Sequence, residues 1–155
     1  MKKTILVTGG TGFIGSHTTV ELQAAGYEVV IIDNLSNSKA EVVEGIEKIS
    51  GVRPAFEEVD CCDLPALEGV FQKYPGIEGI IHFAASKAVG ESVEQPLKYY
   101  ENNLLSLINL LKLMPKYNVK GIIFSSSCTV YGQPDAKDLP VSEQAPIKKA
   151  ESPYG

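Results

Sequence analysis

The sequence has few of the residues that build metal centres or disulfide frameworks. Its 155 residues include two histidines, three cysteines and no tryptophan. His17 and His82 have no partner at metal-ligand spacing, so we expect neither a histidine-based metal site nor a catalytic triad. Cys61, Cys62 and Cys128 fit no zinc motif or disulfide framework. They favour a reducing, cytoplasmic compartment and no structural metal.

Charge and hydropathy argue against two further classes of partner. The net charge is −5 and no basic run occurs, so nucleic acid is not expected as a partner. No apolar run approaches the roughly 20 residues that a membrane helix needs. The start, Met1-Lys2-Lys3, lacks the apolar stretch of a signal peptide. We expect one globular domain over residues 1–155, with no membrane partner.

A glycine-rich turn near the start organises the chain. The apolar run 5–7 precedes it, and a helical pattern over 14–25 follows. Gly9 and Gly12 lack the β-carbons that would keep a pyrophosphate away from the backbone, and Gly15 lets the helix pack closely on the strand. The first helical turn offers N–H groups to phosphate oxygens. The alternative is a glycine-rich loop without a ligand, but the flanking strand and helix favour a dinucleotide site.

An acidic residue follows the second predicted strand, residues 28–32. Asp33 lies 18 residues after Gly15, close to the roughly 20 at which dinucleotide folds place an acid on the adenosine ribose. A carboxylate there repels a 2′-phosphate, which favours NAD over NADP. The alternative is an aspartate that merely begins a turn.

Strand and helix patterns alternate along the rest of the chain. The remaining strands are predicted at residues 55–59, 79–84 and 121–124, and a loop is predicted from Gly132. This alternation predicts an α/β fold with a doubly wound parallel sheet of the Rossmann type, in the strand order 3-2-1-4-5. The ligand is then expected where the order reverses, between the first and fourth strands.

The helices between these strands carry apolar positions at helical spacing. Ser38 is predicted to cap a helix that runs to Ser50, with Ile49 among its inward residues. Asp63 is predicted to cap the next helix. A long helix over 96–114 is apolar on several sides, so we expect it to be buried against more than the sheet. His82 is expected to be a core histidine with its hydrogen-bonding capacity satisfied.

The sequence resembles the extended branch of the short-chain dehydrogenase/reductase superfamily, and within it the UDP-glucose 4-epimerase subfamily. The glycine turn is common to the superfamily, whereas the Asn-Leu-Ser-Asn-Ser and Lys-Ala-Val-Gly-Glu-Ser runs are closer to the subfamily. The resemblance covers the whole chain, on segments 8–17, 33–38, 82–92, 99–103, 125–132 and 152–155.

This resemblance implies an NAD site and a UDP-sugar substrate. It places residues at the pyrophosphate, the ribose, the adenine, the nicotinamide side and the sugar. An apolar residue often stands in the family where this sequence has Cys61. The implied cofactor-binding residues are Gly9, Gly12, Phe13, Ile14, Gly15, Asp33, Asn34, Leu35, Ser36, Asn37, Ser38, Asp60, Cys61, Phe83, Ala84, Ala85, Ser86, Lys87, Asn102, Ser127 and Tyr154.

The resemblance also implies the catalytic residues. Tyr154 would take the proton of the sugar 4-hydroxyl while hydride leaves carbon 4 for NAD, and Ser127 would hydrogen-bond the same hydroxyl and face the sugar with it. Free tyrosine titrates at about 10, so a cation must lower this value. The family supplies a lysine four residues after the tyrosine, beyond Gly155. We therefore expect an amino-terminal portion of an enzyme, truncated before its last strands, lacking the sugar-nucleotide domain and inactive by itself.

The resemblance further implies that the intact protein is a homodimer, paired through the long helix. Three other functions stay open: a nucleotide-sugar dehydratase, an epimerase or decarboxylating relative that acts on other sugars, and a non-catalytic dinucleotide-binding module. Related dehydratases carry Thr-Asp-Glu where this chain has Ser127, Cys128 and Thr129, and these side chains cannot do the same acid chemistry.

Overall fold

A computed structural model describes residues 2–155; Met1, the first residue of the predicted domain, lies outside the described residues. Strands and helices alternate as the pattern predicts. The strands are β1 (Thr4–Thr8), β2 (Glu28–Asp33), β3 (Ala55–Glu58), β4 (Ile77–His82) and β5 (Gly121–Phe124). The helices are α1 (Phe13–Ala24), α2 (Val42–Ser50), α3 (Leu64–Lys73), α4 (Val89–Glu94) and α5 (Pro96–Lys116).

The strands form one parallel sheet in the order β3-β2-β1-β4-β5, which confirms the predicted topology. Leu6 at the centre of β1 pairs with Val30 on one side and Ile80 on the other. All five carboxyl ends therefore point to the same edge. The strand order reverses between β1 and β4, so the position expected of a ligand site lies beside the glycine turn.

Helices pack on both faces of the sheet because successive strand residues point to opposite sides. On one face, Leu6 and Ile80 belong to a buried cluster with Phe71 of α3 and Leu110 of α5. On the other face, Val7, Val29 and Ile31 pack with residues of α1 and α2. The doubly wound arrangement is confirmed.

Two compact units make up the described chain. The first comprises residues 2–85 and 105–125 and contains the whole sheet. The second comprises residues 86–104 and 126–155 and contains α4 and two short 3₁₀ helices, Cys128–Tyr131 and Ala136–Asp138. The single dinucleotide-binding domain expected over 1–155 stays a prediction.

Three local predictions differ from the structure. Helix α2 begins at Val42, and Ser38 lies outside it, so Ser38 is not the cap. Ile49 is exposed, whereas Val43 and Ile46 of α2 are buried and Val42 packs against the same cluster. Strand β4 begins two residues earlier than predicted and ends at His82. Helix α4 was not predicted, since its six residues are too few to show helical periodicity.

Helix α5 has one face in the core and an apolar face in solvent. Ser106, Asn109, Leu110 and Leu113 are buried. Leu105, Ile108 and Leu111 are 39–48% exposed and lie three residues apart, on one side of the helix. We call these three residues the α5 stripe. None of the helices in residues 2–155 is long and apolar enough to span a membrane.

Candidate functional site

The glycine turn is a close-packed junction between β1, β2, β4 and α1. Gly9 has a φ of 67°, and a β-carbon on it would lie 2.8 Å from the Ala84 nitrogen. A β-carbon on Gly15 would lie 2.2 Å from the Gly9 carbonyl oxygen. The Gly9 amide donates to the Ile32 carbonyl at 2.8 Å. These glycines are required by the backbone packing of the turn itself.

The start of α1 is open to a ligand. Gly12 is its N-cap, and no side chain caps the first turn. Phe13 and Ile14 are exposed, although both are large and apolar. A helix start without a side-chain acceptor leaves N–H groups available to an anion, with the positive end of the helix dipole behind them.

Asp33 anchors the loop after β2 to this turn. One carboxylate oxygen accepts from the Thr11 amide at 3.2 Å. The other accepts from the Leu35 amide and the Ser38 hydroxyl, both at 3.0 Å. The Ser38 hydroxyl also lies 2.7 Å from that of Thr11. Ser38 therefore joins the acidic residue to the glycine turn instead of capping α2.

A second link joins the loop after β2 to the turn after β3. The Asn34 side chain donates to Asp60 at 3.0 Å, and the other Asp60 oxygen accepts from the Cys62 amide at 2.8 Å. Partial burial raises the pKa of Asp60, but these hydrogen bonds outweigh it and the net pKa is lowered. The carboxylate is thus ionised at neutral pH, and the bond from Asn34 to Asp60 joins the loop that follows Asp33 to the turn after β3.

The cysteines near Asp60 are not activated thiols. Cys61 is buried, and burial raises the pKa of its thiol to about 12. Burial also raises the pKa of Cys62, to about 11. Cys61, Cys62 and Cys128 form no disulfide. Across residues 2–155, no group of three or more histidine, cysteine, aspartate or glutamate side chains is arranged to hold a metal ion.

His82 ties the carboxyl ends of β1 and β4 together. It is buried, with its Nδ1 at 2.6 Å from the Thr8 hydroxyl, which confirms a satisfied core histidine. The same hydroxyl accepts from the Ala84 amide at 3.2 Å. Burial lowers the pKa of His82 from 6.5 to about 4, so the ring is neutral at pH 7. Phe83 and Ala84 are thereby held beside Gly9, whereas Ala85 lies exposed.

We expect this histidine to make the fold sensitive to acid. The unfolded chain binds the proton with a pKa near 6.5 and the folded chain only near 4, so stability falls as the pH drops between these values. From pH 7 to pH 4.5 this group costs about 2 kcal/mol of unfolding free energy. Urea titrations of wild type and His82→Gln at both pH values measure it. Parallel pH dependence of the two proteins would contradict the assignment, since the carboxylates are common to both.

In the second unit, an asparagine pair holds the segment that follows the switch point. The Asn103 side chain accepts from the Ser86 amide at 2.8 Å and donates to the Ser86 carbonyl at 2.9 Å. The Asn102 amide donates to Asn103 at 2.9 Å. Asn102, the residue predicted on the nicotinamide side, is thus connected to Ser86. Lys87 is exposed.

The second unit also holds the two predicted catalytic residues. The Tyr154 amide donates to the Ser92 hydroxyl at 3.3 Å, and its ring meets Tyr99 edge-on at 6.3 Å between centroids. Ser127 caps the 3₁₀ helix 128–131 and accepts from the Thr129 amide and hydroxyl. In the described residues no hydrogen bond joins Ser127 to Tyr154.

The segments that carry these two residues nevertheless lie close together. A β-carbon on Gly155 would lie 3.2 Å from Thr129, the residue bonded to Ser127. The segment that carries Tyr154 therefore passes beside the 3₁₀ helix that Ser127 caps.

The sequence model of the NAD dependent epimerase/dehydratase family matches residues 5–155, nearly the whole chain. The chain belongs to this family. One similar relative is a UDP-glucose 4-epimerase from Schizosaccharomyces pombe, 53% identical over 98% of this chain and 43% of that protein. The chain thus spans less than half the length of the curated relatives it matches.

Solved structures of UDP-glucose 4-epimerases share the fold. One from Bifidobacterium longum, in complex with NAD+ and UDP, has a TM-score of 0.92 and 49% identity over 98% of this chain and 44% of that chain. The UDP-Glc/GlcNAc 4-epimerase from Campylobacter jejuni has a TM-score of 0.87 and 36% identity over 99% of this chain and 45% of that chain. Members of the NAD dependent epimerase/dehydratase family with different sugars in their names therefore share this portion of the fold.

Several residues that hold the glycine turn and the segment after β4 were not predicted from the sequence. A β-carbon on Gly10 would lie 2.5 Å from the Ile31 side chain, so Gly10 is as constrained as its neighbours. Thr11 contacts Asp33 and Ser38, and Asn103 contacts Ser86. These pairs have no fixed spacing in sequence, so no motif indicates them. For Asn109 the sequence offered one signal: this polar residue interrupts the apolar pattern of α5, which indicates a buried side chain with a hydrogen-bond partner.

Proposed function

We propose that this protein takes part in the NAD-dependent epimerisation of a UDP-hexose at carbon 4, interconverting UDP-galactose and UDP-glucose through a 4-keto sugar. One observation carries the proposal. The chain matches the B. longum UDP-glucose 4-epimerase, crystallised with NAD+ and UDP, at a TM-score of 0.92 and 49% identity over 98% of its length. The three cysteines form no disulfide with one another, which supports a cytoplasmic location as part of the proposal.

The residues of the first unit suit NAD. The uncapped start of α1 fits a pyrophosphate, with Phe13 and Ile14 exposed beside it. The Asp33 carboxylate lies at the end of β2, where it accepts from the Thr11 amide and would also accept from ribose hydroxyls. Asp60 and Cys61 would flank the adenine. These residues would hold NAD, which would supply a reversible hydride acceptor for carbon 4 of the sugar.

The residues of the second unit suit proton transfer. Tyr154 would take the proton of the 4-hydroxyl, and Ser127 would hydrogen-bond the same oxygen and orient it. Asn102, tied through Asn103 to Ser86, would support the nicotinamide side. The lysine that the resemblance places four residues after Tyr154 is not among the 155 residues. We therefore propose that this chain alone has no turnover.

A chimera tests the proposed reaction. The portion of the B. longum enzyme that this chain matches, 44% of its length, would be replaced by this chain. We expect the chimera to convert UDP-galactose to UDP-glucose with NAD, measured by a coupled assay. The chain by itself, assayed at high concentration, is expected to show no conversion. A folded chimera that binds NAD and converts no UDP-galactose would overturn the proposed function.

Cofactor choice gives a second test. We expect the chain to bind NAD at least about tenfold more tightly than NADP, because the Asp33 carboxylate repels a 2′-phosphate. Asp33→Asn should weaken NAD by about 10–100-fold, the loss of charge-assisted hydrogen bonds, while NADP binds no worse. Calorimetric titration of both cofactors measures the ratio.

Glu68 provides the matched control for this test. It lies in α3, and its carboxylate accepts from the Tyr117 hydroxyl at 2.7 Å. Glu68→Gln removes a carboxylate charge in the same way and should leave both cofactor affinities unchanged. Equal affinity of the wild type for NAD and NADP would contradict the role of Asp33.

The α5 stripe supports the proposed homodimer. Leu105, Ile108 and Leu111 are large apolar residues that are partly exposed on one side of a long helix. Such surfaces on soluble proteins mark contacts with partners. We expect self-association in the micromolar range or tighter, and Ile108→Glu should weaken it by about 10–100-fold, because a charge would be buried in the contact. Sedimentation velocity over a concentration series measures this.

Ile49 is the control for the stripe, since it is a large apolar residue of α2 that is 74% exposed but lies outside the stripe. Ile49→Glu should leave the association unchanged. A monomer at every concentration would contradict the proposed self-association, and equal effects of the two substitutions would place the contact outside the α5 stripe.

A further inference from the structure

A single buried side chain holds the turn that follows β3. Asn109 of α5 is 1% exposed and lies in the core beside Leu110. Its amide nitrogen donates to the Cys61 and Cys62 carbonyl oxygens, both at 3.0 Å. Two consecutive carbonyls bound by one NH₂ group cannot rotate independently. The backbone of the turn therefore has its orientation set from the interior of the protein.

The turn held in this way carries Asp60. The Asp60 carboxylate bonds the Cys62 amide on one oxygen and the Asn34 side chain on the other. Asn34 follows Asp33, whose carboxylate bonds the amide of Thr11 in the glycine turn. A continuous path of short polar contacts thus runs from the interior of α5 to the loops that carry Asp33 and Asp60.

We propose that Asn109 is a positioning residue for the adenosine side of the dinucleotide site, acting through the turn 60–62 and Asp60. The inference rests on the proposed function, because it assumes that adenosine binds between the loops after β2 and β3. Asparagine suits the position because its NH₂ group has two donors, one for each carbonyl. Leucine has nearly the same size but would leave both carbonyls without this donor.

Binding of cofactor fragments separates positioning from general stability. In Asn109→Leu, we expect the affinities for NAD and for ADP-ribose to fall by about tenfold, roughly the loss of one hydrogen bond. The affinity for nicotinamide mononucleotide should stay at the wild-type value. Hydrogen exchange of the amides at residues 60–63, measured without ligand, should become faster by a similar factor.

Leu113→Ala is the matched control. Leu113 is buried in the cluster that contains Leu110, one turn beyond Asn109 along α5. Its side chain has no donor for the carbonyls of the turn 60–62. This variant should lose stability but keep its ADP-ribose affinity and its exchange at 60–63. Asn109→Ser, which keeps a hydroxyl donor without added bulk, replaces Asn109→Leu if the leucine variant does not fold, and is expected to show the same pattern with a smaller loss.

Coupling to Asn34 gives a readout that a merely structural role would not move. Asn34 and Asn109 both act on Asp60. The double variant Asn34→Ala, Asn109→Leu should therefore lose ADP-ribose affinity by a smaller factor than the product of the two single-variant losses. Wild-type exchange at 60–63 in a folded Asn109 variant, or unchanged ADP-ribose affinity, would overturn the inference. A wild-type chain that binds neither NAD nor ADP-ribose would instead overturn the proposed function; faster exchange at 60–63 would then still support the hold on the turn.

Discussion

Replacing Gly15 by alanine should lower the free energy of unfolding by about 3 kcal/mol or more and abolish NAD binding. A β-carbon there would lie 2.2 Å from the Gly9 carbonyl oxygen and 2.9 Å from the Gly10 Cα. Both obstacles are backbone atoms of the turn, so no side-chain rotation relieves the clash. Helix α1 would have to move away from β1, and its first turn would leave the place proposed for a pyrophosphate. Chemical denaturation and calorimetric titration measure the two effects.

Two other helical glycines make the prediction sharp. Gly45 of α2 and Gly69 of α3 have nothing within 4 Å of the place where a β-carbon would be added. Alanine at either position should therefore stabilise the protein by about 0.5–1 kcal/mol, the ordinary gain of alanine over glycine in a helix. The same substitution is expected to have opposite signs at these positions and at Gly15. A stable Gly15→Ala protein with wild-type NAD affinity would show that the turn is not close-packed.

Replacing Tyr154 by phenylalanine in the chimera with the B. longum enzyme should reduce kcat for UDP-galactose by about 10²–10⁴-fold, the usual contribution of a positioned acid–base group. The phenylalanine ring would keep the edge-on contact with Tyr99, and the backbone amide of residue 154 would keep its hydrogen bond to Ser92. The substitution removes only the hydroxyl. NAD affinity and stability should therefore stay close to those of the parent chimera.

Tyr131→Phe serves as the control, because Tyr131 ends the 3₁₀ helix 128–131 in the same unit and has no proposed role in proton transfer. It should retain the kcat of the parent within about threefold. Similar losses in the two variants would indicate a general disturbance of the second unit. Full activity of Tyr154→Phe would remove Tyr154 from the proposed mechanism.

Local pattern predicted most of the sheet and the Asp63 cap of α3, but failed at the start of α2. Strands β1 and β5 begin and end as predicted, because continuous apolar runs bounded by polar residues have few other structures available. The predicted start of α2 at Ser38 was wrong, because the Ser38 hydroxyl has two possible partners: a helix amide or the Asp33 carboxylate. The carboxylate comes close only once the loop after β2 folds over the glycine turn. Propensity alone does not rank these alternatives.

Residue order and chemistry were sufficient for the parallel sheet, for the strand order β3-β2-β1-β4-β5 and for the acidic residue at the end of β2. Short crossover connections and buried apolar strands permit few other arrangements. The bond from Thr11 to Asp33, the close approach of Gly15 to Gly9 and the bond from Asn109 to Cys61 join residues 6–48 positions apart. Such contacts arise when helices and loops from different parts of the chain pack together, because a hydrogen bond needs distance and direction that sequence spacing does not encode.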